Sequence, residues 1–412
     1  MLLRSIVRSW FWPIKKLALR LFGIVARASP WKFKSFGYPD KLVKKPLWLQ
    51  EPGVERPCYV TNVVLLHARP KQTRVLPLKA SSKDAPLWAE LADWQPKQRF
   101  VVEIADARIC RSLTIVGSQN EILWDLSPLW NVEPERHPCL LAPVFFSEKK
   151  LKGRYLFLSV DSSQNYFHWM LDLLPKILVL EEAGYSLQDF DGILVDALKD
   201  AYQKESLQAM GMPLKKIIET SRIHLLEVDS LVVPSWAEQS SFYHREDLAM
   251  LAERLQKGCQ VGQNIQISKP SRRIYIDRSN QWGRCLRRRT EILAVFNKYQ
   301  IEVVNLDGKS LAEQIELFSS VAWVVGIHGA SMTNLLFCRP GTKVLELIHP
   351  KWAWFMYWAV AAALDLKYYY LLSDNTDGID SENEEIKKRL ADITVSPDIL
   401  DGLFQKWDAG AA

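Results

Sequence analysis

The chain has 412 residues, more than one hydrophobic core usually holds, so we expect two domains. Hydrophobic residues make up 48% and charged residues 24%, which is typical of a globular protein and excludes a disordered or fibrous chain. The formal net charge is +6, and residues 1–30 contain six basic side chains and no acidic one. The remainder is neutral overall, which argues against a nucleic-acid-binding protein.

Residues 1–30 have the pattern of a basic amphipathic helix. Apolar side chains, including Trp10 and Phe11, fall on one face at helical spacing, and Pro13 predicts a kink. Charges interrupt every apolar run, which excludes a signal peptide and a membrane span. We expect this segment to lie on an anionic membrane surface. The alternative is a helix that docks on its own domain or on a partner subunit.

The rest of the chain predicts an α/β fold. Residues 56–146 are rich in short strand patterns, and from about residue 155 strands and helices alternate, with a linker at 258–271. Alternation indicates parallel sheets with ligands at the carboxyl ends of strands, and two such blocks suggest two Rossmann-like domains. The apolar run 352–364 predicts a buried helix. We expect domains at 31–262 and 263–365, then a C-terminal segment at 366–412 with an acidic loop and closing helices.

The first candidate site is the helix that begins near residue 165. Asn165, His168 and Asp172 have the spacing i, i+3, i+7, so they share one face of an otherwise apolar helix. A carboxylate four residues after a histidine can orient the ring and raise its basicity. The alternative is a His–Asp pair that only ties the helix to a neighbouring loop.

The second candidate is a concentration of arginines between a predicted strand and the helix that begins at Thr290. Such a crossing often binds phosphate, and the planar guanidinium donates two parallel hydrogen bonds to it. The alternatives are a solvated basic loop and a nucleic-acid surface. The seven are Arg272, Arg273, Arg278, Arg284, Arg287, Arg288 and Arg289.

The third candidate is "GIHGASMTN", residues 326–334, between a predicted strand and a short helix. Gly326 and Gly329 allow close approach to the backbone, and the first amides of the helix are available to an anion. His328 could donate to a phosphate oxygen, and Glu346 at the end of the next strand could bind a ribose hydroxyl pair. The alternative for His328 is a turn histidine that its own fold satisfies.

Metal and disulfide motifs are absent from the sequence. The six cysteines form no C-x-x-C pair and no regular framework, which favours a reduced, cytosolic compartment. The "DFD" at 189–191 is similar to the D-x-D that holds a divalent metal in many sugar-nucleotide enzymes. Because it precedes a strand, away from the expected ligand edge, we interpret it as structural.

Three segments together resemble the family 61 glycosyltransferases: "NYFHWMLDLLPKILVL" (165–180), "RRIYIDR" (272–278) and "GIHGASMTNLLFCRPGTKVLEL" (326–347). The resemblance covers roughly 155–365. It implies a GT-B fold, in which two Rossmann-like domains face a cleft, and inverting transfer without an essential metal or cofactor. It further implies roles for the candidate residues. Arg278, Gly329 and Ala330 would grip the donor diphosphate, His328 and Asn334 would build its pocket, and His168 and Asp172 would line the acceptor side, one of them as general base. We expect a His–Asp relay with the histidine as the base, and we expect Asn165, on the same helix face, to bind substrate.

The sequence therefore predicts a bacterial glycosyltransferase that is cytoplasmic and peripheral on the inner face of the plasma membrane. It would move a sugar from a nucleotide-sugar, UDP-linked, to a lipid-linked or polysaccharide acceptor during synthesis of capsule or lipopolysaccharide. One alternative is a non-catalytic glycan- or nucleotide-binding protein on the same fold. Another is a dinucleotide-dependent sugar oxidoreductase, which the missing G-x-G-x-x-G motif disfavours.

Overall fold

The structure is a computed structural model of the chain. It describes residues 35–36, 41–43, 57–84, 86–111, 113–127, 129, 132, 137, 139, 145–146, 149–235, 243–261, 270–278, 283–374 and 391–410. The amphipathic segment 1–30 and most of the acidic loop lie outside these residues. The membrane-surface helix therefore stays a prediction.

The strands and helices alternate through most of the described chain. The strands are β1 Ser35–Phe36, β2 Lys41–Val43, β3 Val60–Leu65, β4 Gln72–Thr73, β5 Leu78–Lys79, β6 Asp93–Trp94, β7 Phe100–Cys110, β8 Thr114–Val116, β9 Glu121–Leu123, β10 Phe145–Phe146, β11 Lys149–Phe157, β12 Gly192–Val195, β13 Ile217–Glu219, β14 Leu225–Pro234, β15 Arg272–Ile276, β16 Glu302–Val304, β17 Val321–Ile327, β18 Lys343–Ile348 and β19 Lys367–Leu372. The helices are α1 Tyr166–His168, α2 Pro175–Glu182, α3 Ala201–Ala209, α4 Arg245–Gly258, α5 Arg289–Lys298, α6 Leu311–Ser319, α7 Met356–Ala363 and α8 Pro397–Asp408.

The described residues divide into two compact units. Unit 1 takes its residues from Met1–His67, Gln98–Lys204 and Met212–Ala237, and unit 2 from Ala68–Lys97, Glu205–Gly211 and Glu238–Ala412. This division differs from the predicted boundary at 262. Segments such as 68–97 belong to unit 2 because β5 pairs with β19 and the indole Nε1 of Trp358 donates to the carbonyl of Val75.

Unit 1 is built on one mixed sheet with the strand order β13-β12-β11-β14-β7-β8-β9-β2, in which β3 also pairs with β7. The strands β13, β12, β11 and β14 are parallel. The strands β14, β7, β8 and β9 pair antiparallel. Strands β3, β7, β8 and β9 of the β-rich segment predicted at 56–146 therefore extend the same sheet as the alternating segment, whereas β5 of that segment pairs in unit 2. Buried Val, Ile and Leu side chains of β7 and β14 form the core of this unit.

Unit 2 is built on a parallel sheet with the order β16-β15-β17-β18-β19-β5. Helix α8 buries one apolar face in its core, where Trp323 stacks on Phe404 and meets the edge of Trp407. The C-terminal residues after 366 thus complete this core. Residues 357–363 of α7 are all buried, which confirms the predicted buried helix. The mixed α/β fold with parallel sheets is confirmed, and no helix among the described residues is long and apolar enough to cross a membrane.

Candidate functional site

The histidine helix of unit 1 begins with a cap and continues through a widened turn. The side-chain oxygen of Asn165 accepts a hydrogen bond from the amide of Phe167 at 2.9 Å, which is an N-cap contact. Residues 169–173 form a π-helical turn, in which the amide of Leu174 donates to the carbonyl of Trp169 at 3.1 Å. Pro175 starts α2 and has no amide hydrogen to continue the preceding turns. The helix is therefore distorted by a π-helical turn directly before Pro175.

His168 and Asp172 form a close pair on this helix. The ring Nδ1 lies 2.6 Å from a carboxylate oxygen of Asp172. The Asp172 side chain is 1% exposed, whereas that of His168 is 20% exposed. Because the carboxylate is buried behind the ring, the ring alone reaches solvent. This geometry suits a histidine that exchanges protons while the carboxylate orients it.

The loop that leads into this helix is tied to the carboxyl end of the neighbouring parallel strand. The side chains of Ser163 and Gln164 both donate to Asp196, which follows β12. Gln164 also donates to the carbonyl of Ala197 at 3.1 Å. The His–Asp pair therefore lies on a helix that starts at the ligand-binding edge expected for a parallel sheet.

Most arginines of the cluster in unit 2 pair with a carboxylate, and one donates to a main-chain carbonyl. Arg289, for example, makes two hydrogen bonds to Asp277 at 2.7 and 2.9 Å. These contacts neutralise most of the cluster, while Arg272, Arg287 and Arg288 stay exposed as in a solvated basic loop. The other pairings are Arg272 with Glu302, Arg273 with Asp408, Arg287 with Asp392, Arg288 with Glu291, and Arg284 with the carbonyl of His328.

Arg278 is the exception in this cluster. Its Nε is buried and has no hydrogen-bond partner among the described residues, and no described carboxylate pairs with it. Burial lowers the pKa of the Arg278 guanidinium below its ordinary value. The charge of Asp307 attracts this cation, but no described carboxylate forms an ion pair with it, so an anion that binds there would stabilise it further. The side chain is thus suited to an anionic ligand.

Gly329 lies directly against this guanidinium. A Cβ atom at Gly329 would come within 2.3 Å of Nη1 of Arg278, so any larger residue would displace the arginine. Gly329 precedes a 3₁₀ helix, Ala330–Phe337, whose first amides have no acceptor within the helix. Arg278, Gly329 and Ala330, predicted to bind phosphate, are thus neighbours in unit 2.

His328 is held by a buried carboxylate of the next strand. Its Nδ1 lies 2.6 Å from Glu346, and Glu346 is 0% exposed. The hydroxyl of Tyr368 on β19 donates to the other oxygen of the same carboxylate. Burial and the Glu346 charge raise the pKa of Tyr368 well above its ordinary value, so the hydroxyl keeps its proton. These contacts use both carboxylate oxygens of Glu346. Together with its burial, they argue against the predicted ribose contact. They favour a role for Glu346 in orienting His328.

The second ring nitrogen of His328 has a different environment. Nε2 makes no hydrogen bond to any group that the structure describes. The ring packs against Tyr357 with 5.2 Å between the two centroids, and burial raises the pKa of Tyr357 above its ordinary value. His328 therefore offers one nitrogen to a ligand while Glu346 holds the other.

The two remaining predicted residues of this segment have internal roles. A Cβ atom at Gly326 would lie 2.4 Å from the sulfur of Met332, so this glycine makes room for packing under the 3₁₀ helix. Asn334 is 0% exposed, and its amide donates to Gln314 at 2.9 Å. Asn334 therefore fixes the 3₁₀ helix to α6, behind the phosphate-binding candidates.

The "DFD" segment supports the backbone. Asp189 belongs to a capping box with Ser186, and Asp191 accepts from the amide of Arg154 at 2.8 Å. Both contacts agree with the structural interpretation. Among the described residues, no group of three or more His, Cys, Asp or Glu side chains could hold a metal ion.

Sequence reasoning missed three residues that surround His328. They are Arg284, Tyr357 and Tyr368, which contact its carbonyl, its ring and its carboxylate partner. Arg284 belonged to the arginine concentration but had no distinguishing signal. Tyr368 lies beyond the predicted end of the domain at 365, and nothing in "KYYYLL" shows which tyrosine faces Glu346.

Comparisons with known proteins include a family match. A family model described as glycosyltransferase 61 matches residues 166–345, which include both candidate regions. No curated protein matches the chain. One solved structure, the dodecameric iron-containing heptosyltransferase TibC in complex with ADP-D-beta-D-heptose, aligns with 88% of this chain and 100% of that chain, at 8% identity and a TM-score of 0.31.

The family match supports the class: the protein is a glycosyltransferase. More particularly, residues 166–345 match the glycosyltransferase 61 family model.

Proposed function

We propose that the protein is an inverting, metal-independent glycosyltransferase that takes its sugar from a nucleotide diphosphate. The observation that carries the proposal is the partly buried guanidinium of Arg278 against Gly329, which forms no direct ion pair with a described carboxylate. The proposal includes the GT-B arrangement that the family resemblance implies.

On the donor side, the leaving diphosphate gains negative charge as the bond to the sugar breaks. Arg278, His328 and the amides at the start of the 3₁₀ helix would stabilise that charge, as preorganised donors do at other developing anions. These groups would replace a divalent metal. Ala330 and Gly329 contribute through their backbone, which explains why a small residue and a glycine stand there.

On the acceptor side, inversion requires one base that removes the proton of the acceptor hydroxyl as it attacks the anomeric carbon. The partial exposure of His168 and the burial of Asp172 support His168 as that base. Asp172 then acts as a positioning residue that stabilises the ring after it takes the proton.

The donor site is tested by titration of UDP against the wild type and two matched variants. Arg278→Gln should weaken UDP binding about 10- to 100-fold, because a charge-assisted contact to phosphate is lost. Arg272→Gln, at the other end of β15 and paired with Glu302, should bind like the wild type. Equal affinities for all three proteins would contradict the proposed donor site.

Turnover tests the rest of the reaction. We expect hydrolysis or transfer with one member of a panel of nucleotide-sugars, UDP-linked sugars first. The product should have inverted anomeric configuration, and the rate should survive EDTA. A retained configuration, or activity that EDTA abolishes and Mg²⁺ or Mn²⁺ restores, would contradict the inverting or the metal-independent part respectively.

The cellular role follows from the sequence rather than from the site. We propose a lipid-linked or polysaccharide acceptor in bacterial surface-glycan synthesis, at the cytoplasmic face of the plasma membrane. The basic segment 1–30 supports this, because a surface anchor raises the local concentration of a lipid-linked acceptor. Full-length protein should sediment with vesicles of anionic phosphatidylglycerol, and protein without residues 1–30 should not. Equal sedimentation would contradict the membrane role.

A further inference from the structure

The buried chain of contacts from Tyr368 through Glu346 to His328 suggests a further role for strands β18 and β19. Glu346 is fully buried and accepts from the hydroxyl of Tyr368 and the Nδ1 side of His328. A buried carboxylate is costly unless hydrogen bonds satisfy both oxygens. Here each oxygen has one donor, so the carboxylate has a fixed orientation.

A fixed carboxylate determines which nitrogen of the histidine carries the proton. A carboxylate only accepts, so Nδ1 must be the protonated nitrogen and Nε2 the one presented to a ligand. A neutral ring would then offer only a lone pair at Nε2, which an anion repels. A ring that also carries a proton on Nε2 offers a donor to an anion, with Nδ1 still facing the carboxylate.

We propose that Tyr368 and Glu346 are positioning residues of the donor site, which hold His328 so that Nε2 donates to the donor's diphosphate. This inference rests on the proposed function. Arg278 lies against Gly329, and Arg284 donates to the carbonyl of His328, so two further cations lie at the backbone of this segment. A diphosphate is the kind of anion that guanidinium and imidazole donors bind together.

The ligand-free protein tests the proton position without reference to the donor. In ¹⁵N spectra of protein with labelled histidine, the signals of residue 328, assigned by their loss in His328→Gln, should show a proton on Nδ1. In Glu346→Gln both tautomers should appear, because an amide can meet the ring with its oxygen or with its NH₂ group. A wild-type ring with a proton on Nε2 and none on Nδ1, or an unchanged spectrum in Glu346→Gln, would overturn the inference.

The binding arm uses UDP and calorimetry. Glu346→Gln should weaken UDP binding about 10- to 100-fold, and Tyr368→Phe about 2- to 10-fold, because each change removes support from one charged contact. Tyr369→Phe is the matched control: it is the next residue of β19, and its ring packs on Trp407 instead. Tyr369→Phe should bind UDP like the wild type. If it lost as much affinity for UDP as Tyr368→Phe does, the inference would be overturned.

The two arms separate this inference from the proposed function. If wild-type protein does not bind UDP, the proposed UDP-linked donor fails, while the spectra still decide the proton position. If UDP binds and Arg278→Gln weakens it, but Glu346→Gln and Tyr368→Phe bind normally, the donor site stands and the positioning role is wrong. Melting temperatures of the variants show which of them are folded.

Discussion

Nδ1 of His168 lies 2.6 Å from the carboxylate of Asp172, and the aspartate is the buried partner. His328 and Glu346 repeat this arrangement in unit 2, also at 2.6 Å. In each unit one histidine therefore has a carboxylate behind it. The two differ in exposure, because His168 is partly open and His328 is 5% exposed. We assign proton transfer to the first ring and phosphate binding to the second.

The assignment of the base predicts a separation between turnover and donor binding. His168→Ala should lower kcat about 10²- to 10⁴-fold, the usual contribution of a general base. Asp172→Asn should also lower kcat, because an amide can hold the ring in the wrong tautomer. UDP affinity should stay within about twofold of the wild type in both variants.

His67→Ala, an exposed histidine of unit 1, is the control for this prediction and should leave kcat unchanged. A His168→Ala enzyme with wild-type kcat would show that another group is the base. A bell-shaped or sigmoidal pH profile of kcat that persists in His168→Ala would lead to the same conclusion.

The observed contact of Asn165 predicts an effect on the stability of the protein more directly than an effect on substrate binding. Its side-chain oxygen caps the histidine helix through the amide of Phe167. Asn165→Ala should therefore destabilise the protein by about 1 kcal/mol, and Asn165→Ser, which keeps a capping oxygen, should restore most of it. The free energy of unfolding from urea titration measures both.

Activity of the serine variant then decides whether Asn165 also binds substrate. Serine keeps the cap but removes the amide NH₂ group. Wild-type KM values in Asn165→Ser would limit this residue to the cap, whereas a raised acceptor KM at wild-type stability would support the predicted substrate contact.

Local patterns in the sequence predict much of the fold. Buried runs such as "VAWVV" and "KVLELI" form adjacent parallel strands, as their spacing indicates, and residues 352–364 contain the predicted buried helix. Pairing between distant segments is different. Strand β5 at 78–79 joins β19, and no local pattern reports a partner about 290 residues away in the chain.

The sequence predicts the candidate site to about the same extent as the fold. Spacing alone places Asp172 beside His168, since both lie on one helix. The pairing of Glu346 with His328 depends on strand register instead, and the sequence led us to a ribose contact for Glu346. The π-helical turn and the unpartnered state of Arg278 depend on three-dimensional packing. The seven arginines look alike in sequence, and only their carboxylate partners distinguish them.

A substitution at Gly329 tests whether the guanidinium of Arg278 must lie close to the backbone of this residue. Gly329→Ala would place a methyl group where Nη1 now lies, so the guanidinium must move. We expect UDP affinity to fall about tenfold or more, with a small change in stability, because the arginine is a flexible side chain near a ligand site. Calorimetry with UDP measures the first and thermal unfolding the second.

Gly402→Ala is the control for that substitution. It lies in α8, and a Cβ atom there would meet nothing within 4 Å. Alanine should leave UDP binding unchanged and stabilise the helix by about 0.5–1 kcal/mol. Normal UDP binding by Gly329→Ala would show that Arg278 does not need its position against the glycine.

Lys176, on α2 of unit 1, predicts a pH dependence of stability. Its side chain is fully buried, its Nζ has no hydrogen-bond partner among the described residues, and it lies 5.3 Å from the ring centroid of Phe157. Burial lowers the pKa of Lys176 from 10.5 to about 7. Between these values the unfolded chain keeps a proton that the folded protein has released.

The folded protein therefore gains stability as pH rises from about 7 to 10.5, and the cost of the buried amine is fully present below pH 7. Lys176→Met keeps the length of the side chain without the charge. It should be more stable than the wild type at pH 7 by a few kcal/mol, and the difference should shrink toward pH 10. Urea unfolding between pH 6 and 10 measures that difference, with Lys199→Met, an exposed lysine of unit 1, as the control. If the difference in unfolding free energy between Lys176→Met and the wild type did not change with pH, the claim that Lys176 is neutral in the folded protein would be wrong.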